Sequence, residues 1–339
     1  MASLNELVSE DGYLFHTKKG KPVEAPQALA PLVDTHCHLT CLSTYDAASA
    51  LVRATLAGVS LVIVPVDPVE DFAGGSSASV ASDVPAFFTW LEGQVATGQE
   101  MLGKWWRSAS PCPHKGTSMP DRIADVRIVA GVHPYGARRF LHEEIVRRRM
   151  EALLESSFCV GVGEIGLDFG PYNSVDGQEQ LACFRSQLSL ACERDLPVEL
   201  HIRDAKDDEG AQAHRQALQL LREVGMPPSG CDLHCFTSGP EVMHPFVELG
   251  CHIAFGGAAS FKRSDGIRDA VAACPSNLLL CETDSPYMAP VPLRGQECEP
   301  AMVAFSAALI ADVREEAGVA LRRDSYRSLW DNARSFFRV

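Results

Sequence analysis

Eight short, continuous apolar runs separated by helix-period stretches leave this chain few folds to choose from. The runs span residues 32–38, 61–66, 127–133, 159–164, 197–201, 232–234, 252–255 and 277–282. Unbroken apolar character, rather than in–out alternation, suits parallel strands covered on both faces. Between the runs, Gly177–Arg194 places Leu181, Phe184, Leu188 and Ala191 on one face of a helix. Residues 214–224 and 239–249 behave in the same way, and 324–337 reads as a closing amphipathic helix. Eight strands alternating with helices predict an α/β chain closed into a TIM-like (β/α)8 barrel. An open doubly wound sheet is the rival. It lacks its fingerprint, because no GxGxxG follows the first strand and Glu164 sits among Gly161, Gly163 and Gly166.

Two segments stand outside the alternation. Residues 1–31 read as an N-terminal extension wrapped on the surface, ahead of a single barrel domain over 32–339. Residues 70–126 are too long for a simple connection and read as an insertion near the barrel mouth. One helix over 87–106, carrying Trp90, Trp105 and Trp106, lies there between two turn-like stretches.

With 339 residues, 46% of them hydrophobic and 22% charged, the chain is expected to fold around one large core or two ordinary ones. A formal charge of −14 argues against a broad basic cradle for nucleic acid. It does not exclude a small acidic pocket that handles phosphate through bound cations. The 12 cysteines include no CxxC pair, and several lie in apolar runs, as inert thiols of a reducing compartment do. The N-terminal stretch has no apolar core of signal-peptide type, and no run of about 18 apolar residues occurs. The expectation is a cytoplasmic monomer with no membrane contact, the nucleus not being distinguished.

Polar residues at the C-terminal ends of the runs carry the chemistry. His36 and His38 close the first run, His133 the third, Glu164 the fourth, His201 the fifth and His234 the sixth, with Asp284 just past the eighth. Strand side chains alternate, so His36 and His38 face one way and Cys37 the other. In a barrel such ends converge on the catalytic face. One buried histidine is ordinarily a core residue bonded to backbone. Imidazoles and carboxylates from several strands are costly to bury unpaired, and a divalent metal cluster satisfies them together. One ion needs about three protein ligands, so six candidates (His36, His38, Glu164, His201, His234, Asp284) fit two divalent ions, magnesium, manganese or zinc. Glu164 could bridge them, and Asp284 could bind one ion and deprotonate water. The metals alone do not choose among phosphodiester, phosphotriester, amide and lactone hydrolysis. Arg203 and Arg294 could each reach a phosphate oxygen from the rim. The plain alternative for each is a nearby carboxylate, such as Asp204 for Arg203. Tyr287 reads as a wall or stacking residue, or as packing against the last loop.

These residues lie in "DTHCHL" (34–39), "GVHP" (131–134), "GEIGLDF" (163–169), "LPVELHIRDA" (196–205), "LHCFTSG" (233–239) and "LLLCETDSPYMAP" (278–290). In that order they resemble the TatD family of metal-dependent deoxyribonucleases, within the amidohydrolase-like hydrolases. The resemblance implies a TIM-like barrel with a two-metal centre. One ion would be held by His36, His38, Glu164 and Asp284, the other by Glu164, His201 and His234, with His133 nearby as a phosphate contact. It also implies hydrolysis of DNA, single-stranded or at strand ends and 3′–5′ exonuclease-like, by metal-activated water with Asp284 as general base. The chain departs from the family at "RGQECEP" (294–300), where Cys298 stands in place of an expected asparagine, and in the length of 70–126.

Two other readings compete. A hydrolase of a small ester, lactone or amide could use the same scaffold. Neither Lys115 nor Lys206 lies at the end of the fourth strand, where many such relatives carry a bridging lysine; Glu164 stands there instead. A scaffold or interaction protein would use the insertion and its tryptophans as an interface. Phe169, Tyr172 and Tyr287 are candidates for stacking on bases.

Overall fold

The computed structural model describes residues 7–9, 11–72, 80–107 and 120–339. One parallel sheet contains eight strands in sequence order. They are β1 (Leu32–Asp34), β2 (Val59–Val66), β3 (Asp125–Ala130), β4 (Cys159–Asp168), β5 (Val198–Arg203), β6 (Cys231–Leu233), β7 (His252–Phe255) and β8 (Leu279–Cys281). The first and last strands meet at a seam. There Thr35 N–H donates to Cys281 O (3.1 Å), Asp284 N–H to His36 O (3.0 Å) and His38 N–H to Ser285 O (2.8 Å). The eight-stranded barrel expected from the apolar runs is present and nearly closed.

Helices cover the outside. They are α1 (Ala47–Leu56), α2 (Val84–Arg107), α3 (Ala137–His142), α4 (Glu144–Leu154), α5 (Gly177–Arg194), α6 (Gln212–Val224), α7 (Pro240–Glu248), α8 (Asp265–Ala273), α9 (Val303–Glu316) and α10 (Arg322–Phe337). Helix α5 starts at Asp176, whose carboxylate accepts from Gln178 N–H, and ends at Asp195 in the left-handed region. It buries Phe184, Leu188 and Ala191 of its expected apolar face, and also two glutamines that fix strand ends. Gln187 clasps both backbone groups of Val132 and Gln180 both backbone groups of Asp168, at 2.7–3.1 Å.

Helix α2 is the helix expected within 70–126, starting three residues earlier and ending one later than the sequence suggested. It takes the ordinary crossover place between β2 and β3 and packs along α1. Gln94 accepts from Ala48 N–H, and Gln99 holds Ile123 N–H and Asp121 O. The cause is its apolar stripe: Phe87, Leu91, Leu102 and Trp105 are all buried, and Trp90 packs against the core. Two of the three tryptophans offered as an interface thus face inward. Residues 73–79, residues 108–119 with Lys115, and the Trp106 side chain lie outside the described residues.

At the other end of the barrel, Phe336 and Phe337 of α10 pack against Val33, Leu61, Ile63, Val129, Ala254 and Leu280. This apolar plug leaves the polar residues gathered at the C-terminal ends of the strands.

Candidate metal centre

Most of the site lies just beyond the strands. Pairing stops at Asp34, Ala130, Leu233 and Cys281, so His36, His38, His133, His234 and Asp284 sit on the first turns after the ladder. Strand β4 does the opposite and runs past Glu164 to Asp168. Its glycines allow this. Gly166 has φ +148°, and a Cβ there would run into the His201 carbonyl; a Cβ at Gly163 would lie 2.6 Å from that of Glu199. Only glycine lets β5 approach so closely and aim Glu164 inward. Asp284 holds its carboxylate inward from the left-handed region (φ 54°), which aspartate tolerates better than most residues.

Two groups of donor atoms share Glu164. His36 Nε2 and His38 Nε2 are 3.0 Å apart, and Asp284 Oδ1 is 3.8 and 3.6 Å from them. Glu164 Oε2 is 3.9 Å from both. Its other oxygen, Oε1, lies 2.5 Å from His201 Nδ1 and 2.8 Å from His234 Nε2, which are themselves 3.2 Å apart. Metal bonds of about 2.0–2.2 Å at tetrahedral or octahedral angles put donor atoms roughly 3.0–3.5 Å apart. The observed spacings bracket that range, at 3.0–3.9 Å in the first group and 2.5–3.2 Å in the second.

The charges agree with this. Burial alone would raise the Glu164 carboxyl, but His234, His201 and His133 hold it well below the usual range. Burial would lower His201, yet Glu164 and Asp168 lift it to about 9. Burial and the nearby His201 push His133 down to about 3. His133 Nδ1 accepts from Tyr135 N–H, which turns Nε2 toward Glu164 Oε1 at 3.7 Å.

A lower layer of acids orients the histidines, and the sequence reading missed it. Glu199 Oε1 accepts from His36 Nδ1 at 2.8 Å, leaving the His36 Nε2 lone pair facing the centre. Asp168 Oδ2 lies 3.1 Å from His201 Nε2 and forms a third potential ligand group with His133 and His201. Glu282 Oε1 accepts from Cys235 N–H and lies 3.8 Å from His234 Nδ1, beyond hydrogen-bond reach. Asp34 accepts from Thr283 N–H and Oγ1–H, tying β1 to the loop that carries Asp284. Burial, with Asp232 and Glu282 close by, raises Glu199 well above the ordinary glutamate range. A signal for these acids existed. Asp34, Glu199, Asp232 and Glu282 each precede a site residue by two positions and so share its face. We expect Glu199→Gln to weaken divalent-ion affinity by roughly 10–100-fold, read by calorimetric titration with manganese. Unchanged affinity would show that Glu199 does not set the His36 ring.

The family model described as TatD-related DNase matches residues 33–338. The chain belongs to this family. The uncharacterized metal-dependent hydrolase YcfH of Escherichia coli (strain K12) is 38% identical over 175 residues, 51% of this chain and 60% of that protein. The 3′-5′ ssDNA/RNA exonuclease TatD of Enterobacter lignolyticus is 32% identical over 236 residues, 68% of this chain and 83% of that protein. Among solved structures, the TatD homolog YJJV of Escherichia coli K12 is 25% identical with a TM-score of 0.66, covering 92% of this chain and 99% of that one.

In this TatD-family chain the rim residues go to different places. Arg203 pairs with Asp168 at 3.4 Å rather than with Asp204, which instead holds His214 Nδ1 at 2.6 Å and caps α6 through Ala213 N–H. The Arg203 side chain is 46% exposed at the rim. Tyr287 is 58% exposed, with its ring 6.2 Å from that of His38. Arg294 lies over the Phe261 ring at 4.2 Å. Phe169 packs against the core and Tyr172 is exposed. Cys298 is fully buried among Leu293, Met302 and Phe305, and its N–H donates to Pro286 O. Its thiol fills space at a position where an amide would need partners. No helix among the described residues is long and apolar enough to cross a membrane.

Proposed function

We propose that the chain is a divalent-metal-dependent deoxyribonuclease that shortens single-stranded DNA, or exposed strand ends, from the 3′ end. The observation that carries this reading is Glu164, whose two oxygens face two separate donor groups. In it, His36, His38, Glu164 and Asp284 hold one ion, and Glu164, His201 and His234 hold the other. The ions would supply positive charge that lowers the pKa of a water and neutralises charge building on the phosphoryl oxygens. Asp284, on the open side of the centre, accepts the proton of the attacking water. His133 Nε2 and the Arg203 guanidinium donate to non-bridging phosphate oxygens. Tyr287 supports a base at the entrance. The net charge of −14 favours a strand end over a long duplex, and the relative named as a 3′-5′ ssDNA/RNA exonuclease supports the polarity. Eleven described cysteines, all unpaired, support a reducing compartment, cytoplasm or nucleus.

The test uses metal-stripped protein and single-stranded DNA labelled at either end, with magnesium, manganese or zinc restored singly. Stepwise loss from the 3′ end, only with metal, is expected. Bound ions should also raise the melting temperature, each contributing about 2.7 kcal/mol at a hundredfold its dissociation constant. Two ions per chain without cleavage of any strand would overturn the nuclease reading and turn the search to small esters.

A further inference from the structure

Three of the chain's seven lysines, Lys18, Lys19 and Lys21, fall in the stretch "TKKGK". They precede residue 33, where the family match begins. In a chain of net charge −14 this concentration of positive charge has a defined place. Two short strands, Phe15–His16 and Pro22–Val23, pair antiparallel. Thr17 N–H donates to Lys21 O, and Gly20 N–H, at φ +73°, to Thr17 O, both at 2.8 Å. The result is a tight hairpin with all three lysines exposed at its tip, and none of them forms an ion pair among the described residues.

The base of the hairpin is anchored. Leu14 and Phe15 are buried, Phe15 meets Phe305 edge to face, and Arg53 donates to Leu14 O. Gln296 Nε2 donates to His16 O at 2.9 Å. This fixes the tip against the loop after β8, on the catalytic side of the barrel. A Cβ on Gly295 would touch the Lys18 side chain at 4.0 Å, and Arg294 is the next residue. The same loop returns to the site through Cys298 N–H and Pro286 O, beside Tyr287. Three acids near the hairpin already have partners, while Glu24, just past its second strand, is exposed. Asp11 holds His16, Glu297 holds the Ser43 and Thr44 amides, and Glu299 holds Arg53. The lysines therefore present positive charge outward at the rim.

We propose that this hairpin is a basic arm that grips the phosphate backbone of a single-stranded nucleic acid beyond the nucleotide being cleaved. The proposal rests on the nuclease reading, because a strand whose end enters the mouth must leave across the rim. Each lysine that neutralises a phosphate releases condensed counterions and steepens the salt dependence of binding by about 0.7 for a single strand.

The test measures equilibrium binding of a fluorescent oligothymidylate to the full chain at several salt concentrations. The triple variant K18A/K19A/K21A is compared with wild type and with K18R/K19R/K21R. We expect the alanine variant to bind on the order of tenfold more weakly at low salt, with a slope of log affinity against log salt shallower by about 2. The arginine variant should keep both values. The substitutions lie outside the buried anchors, and unchanged melting temperatures check that the fold is intact. If wild type binds the strand and the alanine variant keeps its slope, the arm is overturned while the nuclease reading stands. If wild type binds no strand at all, both fall.

Discussion

Glu164→Gln is expected to cut metal-dependent hydrolysis by at least about a thousandfold and to leave fewer ions per chain. The substitution keeps volume and shape but exchanges one oxygen for an NH2 group, which cannot donate a lone pair to a cation. Since each Glu164 oxygen faces a different donor group, 3.9 Å from His36 and His38 on one side and 2.5–2.8 Å from His201 and His234 on the other, one side must lose its ligand. The negative charge at the centre of four histidines is lost as well. Charge stabilisation by metal is worth several kcal/mol, and about 4 kcal/mol corresponds to a thousandfold in rate. Turnover of labelled single-stranded DNA and the metal content after dialysis are the two readouts. A variant that retains two ions with wild-type affinity would remove Glu164 from the bridging position, whatever its activity.

The barrel was legible because a strand covered on both faces must be apolar throughout, and eight such runs stand out against helix-period stretches. Pairing limits were less legible. Hydrophobicity continues into the turns, so β1 looks longer than its ladder, while β4 hides its last residues behind Gly166. Glu164, His201 and the paired histidines stand out in the sequence because polar groups at the end of an apolar run are conspicuous, and the structure brings them together. The supporting acids could not be read by that route, because Asp34 and Glu199 lie inside their runs and look like interruptions, while Glu282 closes its run two residues short of Asp284. Their common spacing, two residues before a site residue, becomes meaningful once the inward face is known. Asp168 was concealed in another way. It follows Glu164 by four positions on the same face, but the glycine-rich segment reads as a strand that has already ended.

Long-range polar pairs leave no local trace at all, and Arg53 is the clearest case. It sits in the apolar stretch of α1, 4% exposed, and meets Glu299 across 246 residues of sequence through Nε and Nη2, both at 2.7 Å. The same guanidinium donates to the carbonyls of Leu7 and Leu14. One side chain thereby ties α1, the loop after β8 and the N-terminal segment together. Arg53→Met should keep most of the apolar packing while leaving Glu299 and two carbonyls buried without partners. Breaking a buried pair in this way costs about 3–5 kcal/mol. With an unfolding entropy near 2.1 cal/mol/K per residue, that lowers the melting temperature of a chain of 339 residues by about 4–7 °C. Scanning calorimetry of the metal-free protein measures it without interference from ion binding. The double variant R53M/E299L should recover much of the loss, since an apolar pair of similar volume needs no partner. If the single variant melts with wild type, Glu299 has found water or another donor and the clamp does not hold the extension. If it melts low and the double variant recovers, the cost came from the stranded carboxylate. The ligand groups lie outside this clamp, so the metal affinity of the folded single variant should stay close to that of wild type.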